Sequence, residues 1–186
     1  MEIQDLLPGF EPESALEEQL ARDPELLEGL AWGKPRKGHP EGSIANHVHD
    51  LLARLERRGV QGDERAKLRF LVLVHDSFKN RVQEWRPRTG ENHHAMRARR
   101  FAERYTDDET ILTTLELHDR PYGIWRRRRR TGLADRRRLE TLLERIQGTD
   151  PELFMRFVEL DGSTEGKRSE PIEWFKEQLG QERDAA

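Results

Sequence analysis

The sequence predicts an all-α protein, folded as a compact single-domain helical bundle. Three observations lead there. Apolar residues recur at i, i+3, i+4 and i+7 along almost the whole chain, the spacing that lines one face of an α-helix. No stretch alternates apolar and polar residues long enough to form a half-buried strand. A length of 186 residues suits one domain, and 34% hydrophobic against 37% charged residues leaves a small core under a highly charged surface. Seven Phe, four Trp and many Leu still exceed what a disordered chain carries.

Each element carries its own signals. Ser14 and Glu17 have capping-box spacing ahead of a helix holding Leu16 and Leu20, and Asp23-Pro24 opens a second. Residues 33–42 read as a Gly/Pro loop. Ser43 then caps a helix with Ile44, Val48, Leu51, Leu52 and Leu55 on its apolar face and Gly59 just past its end. Asp63 is placed to cap the next helix, which turns solidly apolar from Phe70 to Val74; its charged, regularly spaced entry favours a central helix over a buried strand. Residues 80–91 read as a loop. Asn92 starts a helix reaching Tyr105, and Asp107 or Asp108 starts one carrying Ile111, Leu115 and Leu117. Pro121-Tyr122-Gly123 reads as a break. A helix from about Leu133 to Ile146 stops at Gly148, and Asp150-Pro151 opens one bearing Phe154, Phe157 and Val158. After a loop over 162–169, Pro171 opens a last short helix with Ile172, Phe175 and Leu179. The organisation expected is an acidic helical segment over 1–38 packing on the core, a core over 39–167 and a terminal helix over 168–186.

Composition removes several classes. Without Cys there is no disulfide, no thiolate nucleophile and no Cys-based zinc site. The longest purely apolar stretch, Phe70 to Val74, falls far short of the ~18–20 residues that span a bilayer. The first residues lack the basic-then-apolar order of a signal peptide. A cytoplasmic protein with no membrane partner is expected; nothing specifies an oligomer. There is no HExxH and no GxSxG. Gly162 to Ser169 hints at a phosphate-binding loop, but its spacing is one residue short and no strand precedes it. Net charge is −3 and unevenly spread: residues 1–30 hold nine acids against Arg22 alone, and residues 120–138 hold nine arginines.

The informative residues are ionisable groups on apolar stripes. His47 is spaced i+3 from Ile44 and i−4 from Leu51, near the core, whereas His49 lies on the exposed side. His94 shares a stripe with Ala98, Phe101 and Tyr105 and faces inward; His93 shares one with Arg97, Arg100 and Arg104 and faces water or a ligand. His118 follows Ile111 and Leu115 at i+7 and i+3, and Asp161 follows Phe154, Phe157 and Val158 in the same way. His75-Asp76 ends the most apolar helix. Buried charges are normally paired or bind metal. Four imidazoles and two carboxylates make a nitrogen/oxygen donor set suited to Mn, Fe, Ni, Co, Zn or Mg.

This pattern, His47, His75-Asp76, His94, His118 and Asp161 in a helical chain, resembles the HD domain of metal-dependent phosphohydrolases over about residues 39–167. The His-Asp doublet after an apolar helix is that family's signature, and Lys79 matches the lysine often found three positions beyond its Asp. Where the family often has Gly before this lysine, the chain has Phe78. His39-Pro40-Glu41-Gly42 with His47 and His75-Asp76 is similar, locally, to the HD domain of bacterial CCA-adding tRNA nucleotidyltransferases, whose nucleotidyltransferase head, with its Gly-Ser and paired-Asp strand motif, is not expected in these residues. The resemblance implies a metal held by His47, His75, Asp76 and Asp161, with His94 and His118 fitting the two-metal variants in which the doublet Asp bridges. It implies hydrolysis of a nucleotide or other phosphate ester by a metal-activated water, with Asp76 and Lys79 catalytic and Lys79, His93 and Arg81 on the phosphate. Two alternatives stand beside it: a nucleic-acid-binding or regulatory module on the same fold, using Arg126 to Arg130 and Arg136 to Arg138, and a di-iron oxygenase.

Overall fold

A computed structural model describes residues 1–35, 42–133, 135–164 and 167–185, with side chains as far as residue 180. His39 and its neighbours 36–41 lie outside the described residues. The chain is all-α: α1 (Ile3–Leu6), α2 (Ala15–Leu20), α3 (Pro24–Ala31), α4 (Ile44–Arg57), α5 (Gly62–Val74), α6 (His94–Ala102), α7 (Glu109–Leu117), α8 (Arg120–Thr131), α9 (Arg136–Gln147), α10 (Pro151–Gly162) and α11 (Glu170–Ala185). No strand occurs among the described residues, and none of the helices is long and apolar enough to cross a membrane.

Caps explain most boundaries. Asp23 Oδ1 accepts from the Glu25 and Leu26 amides, and Asp150 Oδ1 does the same for Glu152 and Leu153. Ser43 and Asp108 cap α4 and α7. Five expectations are corrected. Asn92 does not start α6, which runs only to Ala102 and is capped by His93; the Asn92 side chain bonds Gln83, Arg86 and Pro87 instead. Asp63 does not cap α5, whose N-cap is Gln61; it lies in the first turn and pairs with Lys67. Glu17 does not return to Ser14 but bonds the Glu13 amide and is buried against Arg69. Pro121-Tyr122-Gly123 is no break: proline fits the first turn, where its missing N–H costs nothing, so α8 runs on through the arginines to Gly132 in the left-handed conformation. The last helix is not short but spans 16 residues.

Two apolar clusters form the interior. The first joins Ile3, Leu7 and Leu30 of the N-terminal segment to Leu51 of α4, Leu71 of α5 and Phe157 of α10. The second joins Leu117 and Ile124 to Leu142, Phe154, Trp174 and Phe175. Helix α10 faces both, with Phe157 and Leu160 in one and Phe154, Met155 and Val158 in the other. The N-terminal segment also meets the core backbone to backbone: a Cβ on Gly29 would stand 1.8 Å from the Ser77 carbonyl oxygen. Helix α3 thus lies against the turn that follows His75-Asp76.

Candidate metal centre

The inward stripes converge. His47 comes from α4, His75 and Asp76 from the end of α5, His94 from the first turn of α6, His118 from the end of α7 and Asp161 from the last turn of α10. His47, His75, Asp76 and His118 are buried, while His94 and Asp161 are partly so. Adjacent rings stand side by side: His47 and His75 centroids are 5.4 Å apart, His75 and His118 5.3 Å, His94 and His118 5.4 Å. One ligand atom from each of His47, His75 and Asp161 falls within 4.8 Å of the others, as does one from each of Asp76, His94 and His118. All six residues expected as ligands are therefore gathered, in two groups able to hold a metal ion.

The hydrogen bonds orient the donors. His75 Nδ1 faces the Leu71 and Val72 carbonyl oxygens at 3.2 and 3.1 Å, and His118 Nδ1 faces Leu115 O at 2.8 Å. Carbonyls only accept, so both Nδ1 atoms carry a proton and both Nε2 atoms point into the cluster, as outer partners arrange for metal-binding histidines. His75 is wholly buried, and its Nε2 has no hydrogen-bond partner; it faces Asp76 Oδ2 at 3.5 Å and Asp161 Oδ1 at 3.7 Å. His47 Nε2 lies 3.0 Å from Asp161 Oδ1, leaving a buried Nδ1 without a partner. A lone pair turned onto two carboxylates is repulsive unless positive charge lies between them. The donor set therefore fits a cation at this point.

The titration directions follow burial and the neighbouring charges. Burial drives the His75 imidazole down, and it drives His94 down to about 3. Burial opposes charge on Asp76, yet the Lys79 ammonium, first among its neighbours, holds its carboxyl well below the usual range. Burial likewise opposes Asp161, where Lys167 and His47 prevail and keep it ionised. His118 would fall on burial alone, but Asp76 and Asp119 raise it. Asp76 and Asp161 are thus ionised, each beside a lysine, Lys79 and Lys167.

The cluster opens into a cleft of about 550 Å³, with His47, Asp76, His94, His118 and Asp161 at its walls. Lys79 is also in the wall, with its ammonium paired to Asp76. Phe78, just before this lysine, is buried with its ring 4.8 Å from Phe101. His93 stacks on His94 at 4.7 Å, its Nδ1 accepting from the Ala95 amide and its Nε2 lying 3.3 Å from Asp119 Oδ2. Arg81 is placed elsewhere, in an ion pair with Glu28 at 2.5 Å, outside the residues that line the cleft.

Sequence reasoning missed three cleft residues. Asp119 completes a further group with His93 and His94. It stands at the N-cap of α8 but makes no cap hydrogen bond, unlike Asp23, Asp108 and Asp150; its carboxylate turns to the imidazoles, and its Oδ1 is buried without a partner. A signal existed, since His118-Asp119 repeats the doublet His75-Asp76. Lys167 and Arg168, read only as the loop after Asp161, also line the cleft, with Lys167 Nζ 2.8 Å from Asp161 Oδ1. Compared with known proteins, the chain matches no family model, no curated protein and no solved structure.

Proposed function

We propose that the protein is a metal-dependent phosphohydrolase acting on a nucleotide or another phosphate ester. The observation that carries this reading is the pairing of two His/Asp donor groups with a lysine, Lys79, on the wall of one open cleft. When bound there, a divalent cation supplies an acidified water and polarises a phosphoryl oxygen. His47, His75 and Asp161 would hold one ion; Asp76, His94 and His118 would hold a second. Asp76 stands between the groups, with Oδ2 toward His75 and Oδ1 toward His94 and His118. Lys79, tethered to Asp76, directs its charge to a phosphate entering the cleft, and Lys167 and Arg168 add cations on another wall. Asp119 orients His93 over the His94 ring.

The test is elemental analysis of the purified chain, with metal-to-chain stoichiometry, followed by phosphate release from a panel of nucleotides and simple phosphate esters with Mn, Fe, Ni, Co, Zn and Mg. One to two ions per chain and metal-dependent release are expected. A chain that takes up no metal and releases no phosphate with any ion overturns the reading.

A further inference from the structure

The strongest feature the cleft chemistry leaves unused is the arginine helix. Elsewhere arginines meet carboxylates: Arg54 with Asp50, Arg65 with Glu13, Arg99 with Glu109, Arg104 with Glu25, Arg145 with Glu116. From Arg126 to Arg138 eight arginines accompany one acid, Asp135, which Arg127 and Arg138 approach at 3.7 and 3.4 Å. Arg126, Arg129 and Arg130 have no carboxylate partner among the described residues. They are exposed.

Two of them lie over aromatic rings. The Arg126 guanidinium is 5.7 Å from the centre of Tyr122, and that of Arg129 is 5.4 Å from the centre of Trp125. The Tyr122 and Trp125 rings are themselves within 28° of parallel at 6.0 Å. These four residues stand at i, i+3, i+4 and i+7, so rings and guanidinium groups form one stripe about 10 Å long. At ~3.4 Å per phosphate of a stacked strand, that length serves about three phosphates. The stripe starts at the cleft, because Pro121 and Tyr122 belong to its wall together with Asp76 and Lys79. Tyr122 remains 51% exposed, leaving ring surface for a ligand.

We infer that this stripe binds a single strand of nucleic acid and leads its phosphorylated end into the cleft. Two neighbouring rings, each flanked by a guanidinium, suit a chain that carries both bases and phosphates, since any base stacks on an aromatic face and a guanidinium grips phosphate with two donors. An acidic peptide offers charge without flat faces, and a duplex hides its faces. The inference rests on the phosphohydrolase reading only for what happens at the strand's end.

The test is fluorescence anisotropy of labelled eight-nucleotide DNA with the full chain, comparing a 5′-phosphate, a 3′-phosphate and no terminal phosphate, with metal content measured on the same sample. Two guanidinium groups neutralising about two phosphates give a log–log salt slope near −1.4, or about sevenfold weaker binding between 50 and 200 mM salt. One of the two phosphorylated ends binds tighter than the unphosphorylated strand. Arg126→Glu with Arg129→Glu loses at least about tenfold and flattens the slope. Tyr122→Ala loses at least about fivefold, the low end for one stacked base, with the slope unchanged. A flat salt response, equal affinity for duplex DNA or polyglutamate, or no effect of Tyr122→Ala overturns the inference; terminal phosphates without effect overturn the placement of the end. Metal uptake without strand binding removes this inference and leaves the phosphohydrolase reading, and the converse removes only that reading.

Discussion

Around Arg69 the buried polar atoms are matched one to one, while around His75 several have no match. Arg69 Nε and Nη2 reach the two oxygens of buried Glu17, both at 2.7 Å; Nη2 also donates to Glu11 O at 3.0 Å, and Nη1 lies 2.8 Å from Glu13 Oε1. The cluster is closed. At the candidate metal centre, His75 Nε2, His47 Nδ1 and Asp119 Oδ1 are buried without partners, and carboxylates face imidazole lone pairs. Both regions bury charge, and in both the donors come from segments distant in the chain. A buried ionic group whose hydrogen bonds all close serves the fold, whereas convergent acceptors left open call for a cation from outside.

The largest test of this contrast is Asp76→Asn. The substitution keeps the shape but removes the charge between the two donor groups, so metal uptake falls and metal-dependent phosphate release drops by more than a thousandfold. Elemental analysis and phosphate assay measure both. On the metal-site proposal, added metal should raise Tm in the unaltered chain, because an ion that binds only the folded state stabilises it; in Asp76→Asn that rise should be lost. Activity surviving at wild-type level would place the chemistry elsewhere.

Arg69→Ala should behave the opposite way. It leaves Glu17 buried and unpaired, at a cost of about 3–5 kcal/mol in denaturant unfolding, yet the folded fraction still takes up metal and still gains Tm from it. Loss of metal uptake by that folded fraction would show that the two clusters are not independent.

Gly29→Ala joins the two regions. The new methyl would meet a backbone oxygen at 1.8 Å, and backbone cannot swing aside as a side chain can. A loss of about 1–3 kcal/mol is expected, together with weaker metal binding, because the displaced Ser77 follows Asp76 directly. Unchanged metal affinity by titration would separate α3 from the site.

The smallest effect belongs to another closed pair. Tyr105 donates to Asp23 Oδ2 at 2.5 Å, and burial together with that acceptor raises the phenol to about 12. A folded pKa above the unfolded value of ~10 stabilises fully below pH 10, and the contribution is lost as pH rises through about 12. Tyr105→Phe should cost about 1 kcal/mol at neutral pH and remove that alkaline loss, as unfolding curves at pH 8 and 11.5 would show. Equal alkaline sensitivity in the two proteins would rule out Tyr105 as its source.

Four of the six converging side chains, His47, His94, His118 and Asp161, were legible because helical direction is a local property, 100° per residue. His75 and Asp76 lie just past the end of α5, and His93, an extended N-cap, is no more exposed than His94. Asp23, Ser43, Asp108 and Asp150 were legible through the same locality, since a cap bonds amides two or three residues away. Asp119 was not. It sits where α7 gives way to α8, and there the direction of a side chain follows the junction rather than any helical period. Lys167 was illegible because it approaches Asp161 from a loop. Glu17 satisfied a capping pattern on paper and was drawn instead to Arg69, 52 residues away.

The sequence by itself determined an all-α chain, most of its caps and which ionisable groups turn inward, because those follow from bonds and angles spanning a few residues. Only the tertiary structure decided that the inward groups meet at one point, that Asp119, Lys167 and Arg168 join them at the cleft, and that the arginine helix begins at its wall. Those outcomes depend on how separate helices pack, and packing is set by the fit of two apolar clusters across the whole chain, not by any local spacing.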